Sequence, residues 1–376
     1  MDPTCAPGPR DATPWVAAKA GPAHRLPSLD GLRAISIALV LFGHLAGAGL
    51  PLFFGRGANL GVTVFFVISG YLITGLLIGE HERTGRISLR RFYARRTLRI
   101  FPAFYAFVAA VLLLKGLGLV TLAPGDLLAA VTYSMNYHYQ RAWALGHVWS
   151  LAVEEQFYLL WPAALALLGL SRGAKAAVVV IAIGPIARTA LYVFAPQSRV
   201  GLDQMFPTVS DTLATGCLLA LAQRRLSASA VYRRFLLSPA FTLVPIGLLA
   251  AVALGDHPRF DGLFGQTLRN VAIALVLDRA VRFPRGAFGA FLNARPVAFV
   301  GTISYSLYLW QQPFVNRHAS LWMNHPPQSV ILAFATAFAS YRLVERPVLA
   351  WRDRARREPL RVPDDAASAR TVEAGQ

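Results

Sequence analysis

Cysteine is almost missing: Cys5 in a polar stretch and Cys217 inside an apolar run are the only two. That removes a disulfide framework, a CxxC redox pair and a structural zinc site, and no other metal cluster is legible. A Walker A sequence and a GxGxxG turn are missing as well, so nothing points to a nucleotide-binding fold. Charge is scarce at 15% of residues, and acid is scarcer than base, 19 Asp and Glu against 37 Lys and Arg. No internal repeat is evident, which weighs against the many transporter folds built from inverted halves. The first 28 residues are polar and rich in Pro and Ala, and no signal-peptide pattern is expected ahead of Ala34.

What is present is apolar. With 55% hydrophobic residues and a mean hydropathy of +0.46, the chain reads as an all-α polytopic membrane protein. Runs near the length of a membrane-spanning helix give a bundle of about ten transmembrane helices. They lie at roughly 34–53, 60–79, 98–120, 148–170, 174–195, 207–223, 237–255, 268–284, 297–315 and 328–350. The formal charge of +18 suggests nucleic acid until its distribution is considered. Basic residues crowd into alternate loops, Arg83 to Arg99, Arg172 with Lys175, Arg224 to Arg234, Arg279 to Arg295 and Arg346 to Arg357. The intervening loops hold little more than Arg56, Arg141, Arg199, Arg259 and Arg317. By the positive-inside rule the rich loops and both termini are cytoplasmic, and no nucleic-acid partner is called for. The expected organisation is a disordered tail at 1–28, a transmembrane domain at 29–351, and a basic then disordered tail at 352–376.

Within this apolar background a few polar residues stand out. Arg33 and His44 are eleven apart, which leaves them about 20° apart around a helix and about 16.5 Å apart along it. Both face the same interior, and His44 falls near the middle of the hydrocarbon layer if Arg33 sits at its surface. A buried imidazole there is a functional-site hypothesis, with interhelical hydrogen bonding as the bland alternative. In the fourth span Ser150, Glu154 and Tyr158 recur at i, i+4 and i+8 and form one polar stripe, while Glu155 shares its stripe with Leu151 and Leu159. Glu154 is therefore expected beside His44, holding its tautomer as a general base requires, and the sequence leaves open whether His44 acts as that base or as a transient acyl carrier. The alternative is two glutamates stabilised by a helix amino terminus.

Ser304, Tyr308 and Gln311 repeat the theme in the ninth span, either as a binding stripe or as bonds between helices. Tyr341 and Glu345 pair near the cytoplasmic end of the last. Arg95 or Arg96 with Arg99 makes a forked cationic face suited to the phosphates of a soluble donor, or an anchor to anionic head groups.

These motifs in order resemble the acyltransferase 3 family of integral membrane acyltransferases, from about Leu26 to about Trp351. They are Ser28-Leu29-Asp30-Gly31-Leu32-Arg33 with His44, the Gly61 to Ile73 block, the Arg95 to Pro102 run, Trp149 to Tyr158, Ser304 to Trp310, and Glu345-Arg346-Pro347. The resemblance implies transfer of an acyl group, commonly acetyl from acetyl-CoA, to a hydroxyl of a surface carbohydrate or lipid-linked glycan, or in some members of a macrolide or other small molecule. It implies a multi-pass protein of the plasma (inner) membrane, with acyl-CoA as co-substrate and no permanently bound cofactor, and Arg33 and His44 as the functional pair.

This chain departs from the family pattern at three points. Gln311 stands where many members have a histidine, Val209 where an arginine often precedes Asp211, and the residues after Trp351 are too few for an appended hydrolase-like domain. The stand-alone form is therefore expected. The expected site has Arg33, His44 and Glu154 as catalytic residues, Arg95, Arg96 and Arg99 on the donor, and Trp149, Ser150, Tyr158, Tyr308 and Gln311 on the acceptor. The rival class is a proton-coupled transporter or flippase using the same buried ionisable set.

Overall fold

The computed structural model describes residues 26, 28–46 and 56–355, apart from the side chains of 256 and 355. Expectations for residues 1–25, 27, 47–55 and 356–376 lie outside the described residues. All regular structure among the described residues is helical. The chain runs α1 (Leu29–Leu45), α2 (Gly57–Thr84), α3 (Leu89–Gly116), α4 (Asp126–Val131), α5 (Trp143–Gly146), α6 (Trp149–Phe194) and α7 (Phe206–Ala228). It continues through α8 (Ala230–Leu237), α9 (Leu243–Ala253), α10 (Gln266–Arg282), α11 (Gly286–Asn293), α12 (Arg295–Thr302), α13 (Ser304–Phe314), α14 (Gln328–Ser340) and α15 (Arg346–Ala355), with short helical turns between.

Among the described residues four helical stretches are long and apolar enough to cross a membrane, and the pair Ala230–Leu237 and Pro239–Ala253, bent by 66°, makes a fifth if taken as one span. One of the four contains α6, in which Gly169 alone leaves helical geometry, at φ 73° and ψ 170°. That conformation is essentially closed to a residue with a Cβ. The bend brings Gly173 against the Leu165 side chain, although residues eight apart on a straight helix are separated by about 12 Å. The runs expected at 148–170 and 174–195 are thus two arms of a helical hairpin with almost no loop.

The expected ninth span is broken, and the tenth is one helix that passes through a π turn. The run at 297–315 is α12 and α13 meeting at Ile303, and the run at 328–350 is α14 and α15 joined through a π turn at Tyr341–Glu345. Such a turn re-aims side chains inside a helix and recurs at functional sites.

Helix α1 is clamped on two sides by contacts that need small residues. Gly43 lies against Ala58 of α2 and Gly61 against Ser36, whose hydroxyl donates to the Gly61 carbonyl at 2.8 Å. On its other flank Gly301 of α12 lies against the backbone of Asp30. Close backbone approach of this kind replaces hydrophobic driving force between helices in lipid. Helix α2 crosses α7 through Gly70 and Gly216 in the same way, and Trp161 Nε1 donates to Thr74 Oγ1 at 2.8 Å to hold α6 on α2. The largest apolar core gathers Ile37, Val40, Phe66, Phe104, Phe107 and Leu307. Two polar cavities interrupt it.

Candidate active site

Arg33 and His44 leave α1 on one face, as their spacing requires, and each lines a different cavity. The first cavity, of about 530 Å³, is lined by His44, Asn59, Arg141, Trp143, His147 and Trp149 among others. The second, of about 350 Å³, is lined by Arg33, Ser69, Arg96, Arg99, Glu154 and Glu345 among others. Val62 and Tyr308 belong to both linings. The first cavity draws on the carboxyl end of α1, the start of α2 and the segment before α6. The second draws on the start of α1, the first half of α3 and the π turn after α14.

In the first cavity His44 Nδ1–H donates to Gln311 Oε1 at 2.8 Å, and the ring sits edge-on to Trp143 with centroids 5.3 Å apart. With Nδ1 protonated, a neutral imidazole keeps its lone pair on Nε2. The neighbouring glutamine holds a second histidine. Gln312 Oε1 accepts from His147 Nδ1 at 2.8 Å and from its backbone N–H at 3.1 Å. Tyr308 donates to the His147 carbonyl at 2.7 Å, with its hydroxyl 2.6 Å from that of Ser150. Arg141 Nη1 donates to the Met135 and His138 carbonyls at 2.9 and 3.1 Å. Burial pulls its guanidinium below the ordinary value, yet arginine stays charged across the physiological range.

In the second cavity Arg96 is heavily engaged. Its Nε stands 3.5 Å from Glu155 and its Nη2 4.0 Å from Glu154, and the guanidinium lies 3.8 Å above the Tyr158 ring, a cation–π contact. Glu154 accepts from Ser69 Oγ at 2.6 Å. Arg33 pairs at 3.5 Å with Asp30. Arg99 makes no hydrogen bond or ion pair among the described residues, though it stands within electrostatic range of Arg33, Arg96 and Glu345. Glu345 accepts a hydrogen bond from Ser306, and Tyr305 spans to the Ile100 carbonyl at 3.0 Å.

The expected residues therefore divide between the two spaces. His44, Trp149 and Tyr308 reach the first cavity; Arg33, Arg96, Arg99, Ser150, Glu154 and Tyr308 reach the second. Gln311 is fully buried behind His44 and touches neither lining. The expected contact between Glu154 and His44 is not made: Glu154 is held by Ser69 and Arg96 in the other cavity, and the partner of His44 is an amide. Arg95 turns away to Glu80 at 3.3 Å, and Tyr158 is buried beneath Arg96 outside both linings.

Asp211 pairs at 3.0 Å with Arg188 from the second arm of α6. Ser69, Trp143, Arg141 and Asn59 line the cavities but are not assigned to the site from the sequence. Of these Arg141, the single Lys or Arg of its loop, and Ser69, inside the Gly61 to Ile73 block, carry a signal. Among the described residues no group of three or more His, Cys, Asp or Glu is placed to hold a metal ion.

Comparison with known proteins matches residues 26–344 to an acyltransferase domain. Similar curated proteins include O-acetyltransferase OatA of Staphylococcus aureus (strain NCTC 8325 / PS 47), 32% identical over 355 residues. That alignment covers 86% of this chain and 57% of the relative. Another is peptidoglycan O-acetyltransferase OatA of Listeria monocytogenes serovar 1/2a, 29% identical over 367 residues, with 86% and 56% covered. The chain thus spans little more than half the length of these relatives. No solved structure matches it.

Proposed function

Because the chain belongs to the acyltransferase domain family, we propose that it is a multi-pass membrane O-acyltransferase moving an acetyl group from acetyl-CoA to a hydroxyl of a cell-surface carbohydrate. The relative named as a peptidoglycan O-acetyltransferase favours a glycan acceptor over a macrolide or other small molecule. Ten spans with both termini cytoplasmic in the plasma membrane complete the reading, with the basic start of α3 on the cytoplasmic side.

The observation that carries the proposal is the pair of cavities at the two ends of one helix, sharing Val62 and Tyr308 as walls. Acetyl-CoA enters the second cavity from the cytoplasm, and Arg99 and Arg33 meet its phosphates. The thioester reaches the shared wall at Tyr308, and the acceptor hydroxyl comes to it through the first cavity, between Trp143 and Trp149. His44 Nε2 takes the hydroxyl proton as the oxygen attacks the thioester carbonyl. The carbon–oxygen bond forms, the carbon–sulfur bond breaks, and the leaving thiolate takes the proton from the imidazolium. Gln311 positions His44 by fixing the proton on Nδ1. Arg96, tied to two glutamates and Tyr158, braces the wall of the donor cavity.

The test is acceptor-dependent release of CoA by protein purified in detergent, with a glycan fragment as acceptor. His44→Ala is expected to lower transfer by about 10²–10⁴-fold, the usual worth of a positioned general base, with unchanged yield of folded protein. Turnover within a few fold of the parent would remove His44 from the chemistry.

A further inference from the structure

A third cleft, of about 380 Å³, lies apart from both cavities of the active site. Its walls are the ends of α2 and α7 and the residues just past the Gly169 reversal of α6. Ile78, Leu170, Val178, Leu218 and Leu221 give it apolar walls, while Lys175, Arg224, Arg225 and Glu82 supply its charge. Arg224 Nη2 donates to Glu82 Oε1 at 2.6 Å, so the one carboxylate cancels one of the three cations. Lys175 and Arg225 make no hydrogen bond or ion pair among the described residues, and the mouth of the cleft keeps their two positive charges.

The arrangement has a direction. Both α2 and α7 lead at this end into basic loops, the cytoplasmic side under the positive-inside rule. Along α7 the lining runs from Leu218 to Arg225, seven residues or about 10 Å of axis, with apolar side chains deeper and cations at the surface. Val178 and Leu221 continue the apolar wall from facing helices, and Val178 is itself exposed. A soluble phosphate would need the cations without the apolar slot, and a neutral lipid the slot without the cations. Basic pockets between helices at the cytoplasmic face recognise anionic lipid head groups by this combination.

We propose that this cleft binds an anionic phospholipid of the cytoplasmic leaflet, with its phosphodiester between Lys175 and Arg225 and an acyl chain along Leu218, Leu221 and Val178. Arg224, already paired with Glu82, lines the mouth without being needed for the head group. The site is independent of the acyl-transfer reading and stands or falls separately.

The test uses the full chain in vesicles of phosphatidylcholine, with or without phosphatidylglycerol. It reads the lipid retained after detergent extraction by native mass spectrometry, and the Tm. Wild-type protein is expected to retain phosphatidylglycerol in preference to phosphatidylcholine and to gain at least about 3 °C in Tm from it. K175Q/R225Q should lose both effects. R233Q/R234Q removes the same charge from the same cytoplasmic region outside the cleft and should keep both. Leu221→Trp fills the slot without touching charge and should also release the lipid, while inorganic phosphate alone should leave Tm unmoved. Equal losses in the two double variants would reduce the effect to bulk surface charge. A K175Q/R225Q protein that behaves as wild type, full retention by Leu221→Trp, or a matching Tm shift with inorganic phosphate would each overturn the proposal.

Discussion

At His44 the acceptor for the Nδ1 proton is an amide oxygen, and that decides which nitrogen is left to work. Gln311→Leu keeps the volume but removes the acceptor, so the ring loses both its preferred tautomer and its aim. Turnover is expected to fall by about 10²-fold, the cost of a small misplacement of a reacting group, with the KM for acetyl-CoA unchanged. Gln311→Asn should recover part of the rate. Steady-state kinetics on matched amounts of purified protein check this, and a change confined to KM would assign Gln311 to binding instead.

The three arginines of α3 are expected to separate in the same assay. Arg95 is spent on Glu80, so Arg95→Gln should leave the donor KM near the parent value. Arg99 lines the proposed donor cavity with no hydrogen bond or ion pair among the described residues, and Arg99→Lys, which keeps charge but loses the guanidinium fork, should raise it about tenfold or more.

Arg33 and His44 could be read directly because eleven residues on one helix fix a geometry without any tertiary information. Gln311 could not be placed the same way, since its contact with His44 spans 267 residues. The stripe of Ser150, Glu154 and Tyr158 gave the facing of Glu154 but not its depth, and so matched it with the wrong partner.

At the scale of helices the backbone breaks do what the hydropathy pattern cannot show. Averaging over a window returns a span wherever the sequence stays apolar, so the hairpin in α6, the interruption at Ile303 and the π turn at Tyr341–Glu345 all read as ordinary helix. Proline is a mixed guide to them: Pro102, Pro162 and Pro185 lie inside helix, whereas Pro347 follows the π turn and lacks the N–H that would bond back to Leu343. The reversal instead depends on Gly169, whose backbone angles an L side chain resists. Gly169→Ala is expected to destabilise the protein by about 1–3 kcal/mol. Thermal unfolding in detergent would register this as a lower Tm, with the residual activity per folded molecule unchanged. An unaltered Tm would mean the two arms can turn without glycine. The break at Ile303 lies between α12 and α13, the pieces that carry Gly301 against Asp30 and Gln311 against His44.

For the whole molecule the central claim is sided. In the proposed reading donor and acceptor approach from opposite faces, through cavities that share Val62 and Tyr308, with His44 working on the acceptor face. The positive-inside pattern proposes the faces, and the arginines lining the second cavity propose which of them the donor enters from. The direct measurement is made on sealed inverted vesicles, in which the cytoplasmic face is outward, with a glycan acceptor trapped in the lumen and acetyl-labelled acetyl-CoA added outside. The account predicts label on the lumenal glycan, none when the acetyl-CoA is trapped inside with the acceptor, and none in either arrangement for His44→Ala. Acetylation that requires donor and acceptor on the same side, or that persists in the His44→Ala vesicles, would contradict it.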